Sequence, residues 1–203
     1  TRGAGPRPAE TSMTVPLTER LNQILPKITS DDFLSGRGLG NEIAFYIFDY
    51  PPEEELQIRE HVQFLLEHIP KQRPDLRVRH LNLFDFVLDY LRARNLLDKA
   101  IEMQENKGDE ALLRALSGPL HENKLVPFLA EAIQPDQQAL ILVSGVGGAW
   151  PLLRLHTLLN NLHSVVPRTP MVTFYPGKYD GQSLRLFGRL PHTNYYRAFK
   201  FAP

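Results

Sequence analysis

The stretch "QALILVSGVGGAWPLLRLHTLLNNLH", residues 138–163, has the clearest structural pattern in the sequence. Its first part is a continuous apolar run, which predicts a buried strand over 138–144 at the centre of a sheet. Three glycines then indicate a tight turn, and helical spacing of apolar residues follows over 150–163. The residues predicted to face the sheet from this helix are Leu155, Leu158, Leu159 and Leu162. A strand, a turn and a helix in this order are typical of a layered α/β domain.

The same alternation continues on both sides of this stretch. Apolar runs predict further strands in "EIAFYIFDY" (42–50), "LRVRHLNL" (76–83) and "PMVTFY" (170–175). The glutamates at 53–55 favour the start of a helix that Pro70 is expected to end. Residues 84–134 are predicted to form a helical insertion, and "LRLFGRL" and "YYRAFKF" to form antiparallel C-terminal edge strands. We therefore predict an α/β layered sandwich with a mostly parallel central sheet flanked by helices, in an undetermined strand order.

The two ends of the chain differ from its middle. Residues 1–12, "TRGAGPRPAETS", lack apolar periodicity, and we expect them to be a disordered remnant outside the native protein. Residues 13–203 are predicted to form a single α/β domain with its own core. The whole chain has 23 basic and 23 acidic residues, but from Arg168 onward six basic residues accompany one acidic residue. This asymmetry indicates an anion-facing C-terminal end.

The composition excludes several classes of site. The chain contains no cysteine, so disulfides, thiolate catalysis and cysteine-bound zinc are excluded. No run of residues reaches the ~18 apolar positions that a membrane-spanning helix needs, and no signal peptide follows Met13. We therefore expect a cytoplasmic protein with no membrane association.

The glycine turn after the central strand lies where nucleotide-binding folds hold phosphates. The phosphate-loop pattern G-x-x-x-x-G-K-[ST], counted from Gly145, requires glycine and lysine where Trp150 and Pro151 stand. The dinucleotide pattern G-x-G-x-x-G continues to Gly147 and then also fails at Trp150. We predict a turn over 144–149 without phosphate chemistry. The alternative that stays open is a nucleotide-binding protein or cryptic enzyme that uses Ser144, Gly145, Gly147 and Asp49.

The other candidate sites also lack a complete set of groups. The stretch "SGRGLGNE" (35–42) precedes a strand rather than following one, so it predicts a tight entry turn. Asp49 ends a strand, but Pro51 stands where the second carboxylate of a phosphatase would be, and we predict that Asp49 caps the helix beginning near Pro52. Ser144 lacks the G-x-S-x-G frame of a nucleophile elbow. We therefore predict no catalytic and no cofactor-binding residues, and no enzyme.

The histidines include two pairs at a spacing of seven residues, His61 with His68 and His156 with His163. Seven residues span ~10.5 Å along a helix. That span is too long for both imidazoles to hold one zinc ion at ~2.0–2.1 Å. We expect these histidines to be surface residues or core residues with satisfied hydrogen bonds, and we predict no metal site.

The last 36 residues combine eight aromatic residues with net positive charge. Such residues either pack in strands or contact a partner, which could be a nucleic acid or an acidic protein. In "YPGKYDGQ" the Pro-Gly and Asp-Gly dipeptides indicate two turns, between which Lys178 and Tyr179 are expected to project from a loop. We predict that Tyr179 and Arg197 belong to a partner surface rather than to the core.

Three long motifs add a family resemblance. They are "GLGNEIAFYIFDYPPEEEL", "SGVGGAWPLLRLHTLLNNLH" and "YPGKYDGQSLRLFGRL…NYYRAF". In this order they resemble BrxB, a small component of the bacteriophage exclusion (BREX) defence system, from about Leu17 to the C-terminus. The family's motif positions fall on Gly38, Asn41, Glu42, Gly145, Pro151, Arg154, Asn160, Asn161, Pro176, Gly177, Tyr179, Tyr195, Tyr196 and Arg197.

The resemblance implies a protein without an assigned reaction that works beside a PglX-like methyltransferase, a PglZ-like phosphatase-fold protein and a BrxC-like ATPase. We therefore predict a scaffold component that supports host DNA methylation and phage exclusion by binding other BREX proteins. The PglZ-like protein is the preferred partner, and direct DNA contact is not expected to dominate. The residues predicted to bind a partner are Lys178, Tyr179, Arg185, Tyr195, Tyr196 and Arg197.

Overall fold

The computed structural model of the protein describes residues 15–35, 44–166, 168–191, 193–195 and 197–202. Within these residues the helices are α1 (Leu17–Asn22), α2 (Ile24–Ile28), α3 (Asp31–Leu34), α4 (Glu55–Gln72), α5 (Leu83–Ala93), α6 (Leu97–Lys107), α7 (Asp109–Leu116), α8 (Glu122–Ile133), α9 (Val146–Ala149) and α10 (Leu155–Leu162). The strands are β1 (Phe45–Tyr50), β2 (Val78–Asn82), β3 (Leu140–Ser144), β4 (Met171–Tyr179), β5 (Ser183–Leu186), β6 (Thr193–Asn194) and β7 (Phe199–Lys200).

Five strands form the main sheet in the order β2-β3-β4-β1-β7, and all their pairings are parallel. β4 continues past this sheet and pairs antiparallel with β5, which pairs antiparallel with β6. The predicted fold class, with its mostly parallel sheet between helices, is confirmed, as is the antiparallel strand at "LRLFGRL".

The strand predicted at "YYRAFKF" has the opposite orientation to the one expected. β7 pairs with β1 in parallel, so its assignment as an antiparallel strand was wrong. The chain crosses from β6 to the free edge of β1, where the buried Phe201 ring meets the rings of Tyr46 and Phe33 edge-on. Burial of this apolar residue at the sheet edge outweighs the local hairpin geometry.

Each face of the main sheet has its own hydrophobic core, because side chains alternate along the strands. Phe45 and Ile47 of β1 point to the face covered by helices α5–α10. Tyr46 and Phe48 point to the other face, which α1–α4 cover. The long helical insertion predicted over 84–134 is confirmed as helices α5–α8 on the first of these faces.

Two predicted helix boundaries were wrong. Pro70 does not end α4, which continues to Gln72. A proline in the last turn of a helix removes only one backbone hydrogen bond. The next turn still closes, because the Arg73 N–H donates to the Ile69 carbonyl at 2.8 Å. The helix predicted over 150–163 corresponds to α10 alone, while Val146–Ala149, within the predicted turn, form the separate short helix α9. Trp150 is extended (φ −73°, ψ 139°), the conformation favoured before a proline, so α10 begins only at Leu155.

In the described ranges no helix is long and apolar enough to cross a membrane.

Candidate interaction surface

The glycine turn at the end of β3 is explained by packing within the protein. Gly145 has φ +72°, and a Cβ there would lie 2.1 Å from Oδ1 of Asn82. That oxygen accepts hydrogen bonds from the backbone N–H groups of Phe84 (3.0 Å) and Asp85 (3.3 Å), and it thereby caps α5. Glycine is therefore required at 145 to admit the Asn82 amide.

The second glycine of the turn has a similar role. A Cβ on Gly147 would lie 3.0 Å from the Phe187 ring and 3.2 Å from Pro176. Side chains of β2, β4 and the segment after β5 thus fill the space beside the turn. Contacts within the protein therefore account for a glycine at 147.

Ser144 and His80 form a contact that the sequence analysis missed. His80 Nε2 lies 2.8 Å from Ser144 Oγ, between neighbouring strands β2 and β3. Burial lowers the pKa of His80, which favours the neutral imidazole at pH 7. A serine beside a neutral histidine is the start of a nucleophile–base arrangement. Among the described residues, however, no carboxylate hydrogen-bonds to His80 to orient it, so the pair remains a satisfied cross-strand contact.

Asp49 does not cap a helix, so that prediction was wrong; the turn that precedes α4 has Pro51 at its N-cap position with no side-chain bond. Asp49 is 7% exposed. Its Oδ1 accepts from Arg20 Nη2 at 2.8 Å, and its Oδ2 accepts from the Tyr179 N–H at 3.0 Å and lies 3.6 Å from Lys200 Nζ. At the end of β1 the Asp49 carboxylate therefore faces α1 and β7 rather than the helix that follows it in the chain.

Tyr179 is buried, which corrects the prediction that it lies on a partner surface. β4 extends as far as Tyr179, and the period-two alternation turns this ring inward while Lys178 points outward. The Tyr179 hydroxyl lies 2.8 Å from the Ala198 carbonyl oxygen and 3.0 Å from that of Tyr195. The phenol therefore holds the C-terminal segment against the hairpin.

Tyr195 is also buried, so it too is not a partner contact. Its hydroxyl lies 3.1 Å from His163 Nε2, and the His163 ring stacks on Phe45 with centroids 4.6 Å apart. The Tyr195 ring and its hydroxyl group therefore both have partners inside the protein. Tyr196 lies outside the described residues, as do the motif positions Gly38, Asn41 and Glu42.

The remaining predicted partner residues, Lys178, Arg185 and Arg197, are exposed. Lys178 on β4 stands directly opposite Arg185 on β5, and like charges facing each other across a sheet destabilise it. The nearby carboxylate of Asp180 accepts from the N–H groups of Gln182 (2.8 Å) and Ser183 (2.7 Å), which lowers its pKa to about 2. No described carboxylate forms an ion pair with either cation. We call this side of the β4–β5 hairpin the cationic face.

No cluster of three or more metal-ligating side chains occurs in the described part of the chain. His163 contacts Tyr195, and His156 contacts Thr157 at 3.2 Å. His61 Nε2 is buried without a hydrogen-bond partner in that same part.

Taken together, these elements define an open-sheet α/β protein with a cationic hairpin face and, among the residues that the structure describes, no complete catalytic set. The family model "BREX protein BrxB" matches residues 79–201. A BREX protein BrxB of Bacillus cereus (strain H3081.97) is 41% identical over 91% of this chain and 96% of its own length. One of Escherichia coli O9:H4 (strain HS) is 41% identical over 92% of each chain. No solved structure gives a significant match.

The chain therefore belongs to the BrxB family and is a component of a BREX bacteriophage-exclusion system. The resemblance identified from three sequence motifs is confirmed.

Gly145→Ala is expected to destabilise the protein by at least about 2 kcal/mol, because the left-handed conformation costs ~1–2 kcal/mol in a residue with a Cβ and the methyl group would clash with Asn82. Gly148→Ala is the matched control, since its Cβ meets only Phe84 at an ordinary 3.4 Å. Urea unfolding of both variants makes the comparison. Equal free energies of unfolding would contradict the packing role of Gly145.

Tyr179→Phe is expected to lower the free energy of unfolding by about 1–2 kcal/mol, because it leaves buried carbonyl oxygens without their donor. Tyr175→Phe is the control, since this buried ring of the same strand has no hydrogen bond to another described residue. Thermal denaturation of both variants tests the assignment. A stable Tyr179→Phe protein that binds partners poorly would restore Tyr179 to the interaction surface.

Stability should fall as the pH decreases through about 6.5. Burial lowers the pKa values of His61, His80, His156 and His163 below the ordinary 6.5. Below that pH the unfolded chain binds more protons than the folded one, so protonation favours unfolding. Urea midpoints between about pH 7.5 and 5 measure this effect, which His61→Gln should reduce and Gln57→Ala, one turn earlier, should not. A flat profile would contradict it.

Proposed function

We propose that this protein is a non-enzymatic interaction component that binds other BREX proteins through the cationic face, in the cytoplasm. The observation that carries the proposal is the Lys178–Arg185 pair, two exposed cations directly opposite each other with no described carboxylate between them. Their mutual repulsion would be relieved by an anionic group of a partner.

The composition around the pair supports the same role. Between residues 144 and 202 the chain has seven basic residues and one acidic residue, Asp180. In the helices α4 and α5, by contrast, basic side chains form ion pairs with carboxylates, as in Arg59–Glu55 at 2.8 Å and Arg92–Asp89 at 2.7 Å. A surface of one charge sign accelerates the encounter with an acidic partner and selects against other basic proteins.

A protein partner is favoured over nucleic acid because two of the tyrosines predicted to bind a partner, Tyr179 and Tyr195, are buried. Single-stranded nucleic acids bind where basic residues accompany exposed aromatic rings on which bases stack. Tyr179 and Tyr195 are 1% and 2% exposed and cannot stack in this way. The PglZ-like protein is our preferred partner, with the PglX-like methyltransferase and the BrxC-like ATPase as alternatives, and binding to them would support host DNA methylation and phage exclusion.

The test is co-expression with each of these three proteins, followed by size-exclusion chromatography at low and high salt. We expect the wild-type protein to co-elute with at least one of them and Lys178→Glu/Arg185→Glu to weaken that binding about tenfold or more. Lys99→Glu/Lys107→Glu, on exposed positions of α6, is the matched control and should bind normally. Absence of co-elution with all three proteins would refute the proposal, and calorimetry with ATP and magnesium would then test the nucleotide-binding alternative.

A further inference from the structure

The segment between α9 and α10 forms a ridge between two pockets that are lined in part by leucines. We call residues 150–154 the Trp150 ridge. A pocket of about 310 Å³ lies on its α7 side, where Leu113, Leu116 and Leu120 line it. A pocket of about 220 Å³ lies on its β5 side, where Leu184, Leu186 and Leu190 line it. Leu153 and Arg154 of the ridge line both pockets.

Both pockets are small. Sites for small molecules usually measure ~300–1,000 Å³ and enclose most of the ligand; the larger pocket, of about 310 Å³, is at the lower end of that range and the smaller, of about 220 Å³, is below it. Trp150, on the ridge, is 38% exposed, with its ring edge-on to Phe187 at 6.0 Å between centroids. An exposed tryptophan beside leucine-lined pockets is the composition of an energetically important protein contact.

Arg154 gives this surface its charge preference. It is exposed and stands at the N-cap of α10, where the helix dipole disfavours a cation. Glu122 is the one acidic residue that lines the larger pocket, and its carboxylate lies 3.9 Å from His121 Nδ1. No described carboxylate pairs with the Arg154 guanidinium, which is therefore free to form a bidentate pair with a partner's carboxylate.

We propose that the Trp150 ridge is a docking site for a segment of a partner protein in which a carboxylate is flanked by apolar side chains. The carboxylate binds Arg154, and the apolar side chains enter the two pockets. This inference deepens the proposed interaction role and rests on it for the identity of the partner. The ridge is distinct from the cationic face, because Leu184 and Leu186 point to the pocket while Arg185, between them, points away.

The test uses the fluorescence of Trp150, which is the only tryptophan of the chain. Short overlapping peptides that cover the PglZ-like, PglX-like and BrxC-like proteins of the same system are titrated into the full-length protein. We expect peptides with leucine, isoleucine or valine on both sides of an aspartate or glutamate to shift the Trp150 emission. Replacing that acid by its amide, or Arg154→Glu in the protein, should weaken binding about tenfold or more. Arg168→Glu, an exposed cation that lines neither pocket, is the control.

The outcomes separate this inference from the proposed function. A shift that survives Arg154→Glu, or no shift with any peptide, would overturn the docking site. Co-elution that Arg154→Glu leaves intact and Lys178→Glu/Arg185→Glu abolishes would also overturn it while supporting the cationic face. Peptide-induced shifts without co-elution of any full-length protein would support the docking site and refute the proposed function.

Discussion

The structure depends on the buried carboxylate of Asp49. A charge in this position is costly unless other groups neutralise it, and removing one partner of such a pair typically costs about 3–5 kcal/mol. Arg20 of α1 provides the ion pair at 2.8 Å, and it also donates to the Ala202 carbonyl oxygen at 3.1 Å. The Tyr179 N–H and Lys200 complete the surroundings. One side chain at the end of β1 thereby joins the first helix, the extension of β4 and the last strand.

The cationic face follows from this constraint. The Asp49 carboxylate holds the backbone of Tyr179 beside the main sheet, so β4 continues into the hairpin with β5. Tyr179 then points inward to the carbonyl groups of the C-terminal segment, and its neighbour Lys178 points outward to face Arg185. The alternation of side chains along β4 therefore buries Tyr179, which was predicted to contact a partner, and exposes Lys178. The proposed interaction surface is made by the β4–β5 hairpin, and the buried tyrosines pack behind it.

Much of the fold could be predicted from the sequence because each element carries a local pattern. The apolar run of β3 and the leucines of α10 indicated a buried strand and its covering helix, and the structure contains both, although α10 begins at Leu155 rather than at residue 150. Asn82 also had a readable signal, a capping residue directly before an apolar helix, although it was not recognised. The Ser144–His80 contact had none, since it joins residues 64 positions apart on strands whose neighbourhood was unknown.

The sequence alone determined the alternation of strands and helices, the mostly parallel sheet, the missing phosphate-loop lysine and the family. These properties depend on residue type and on spacing along one segment. Contacts between distant segments set the strand order, the parallel orientation of β7, the burial of Tyr179 and Tyr195 and the role of Asp49. The physical reason is that a polar or aromatic side chain takes its role from the groups that distant segments bring to it, and those groups are set by packing across the sheet.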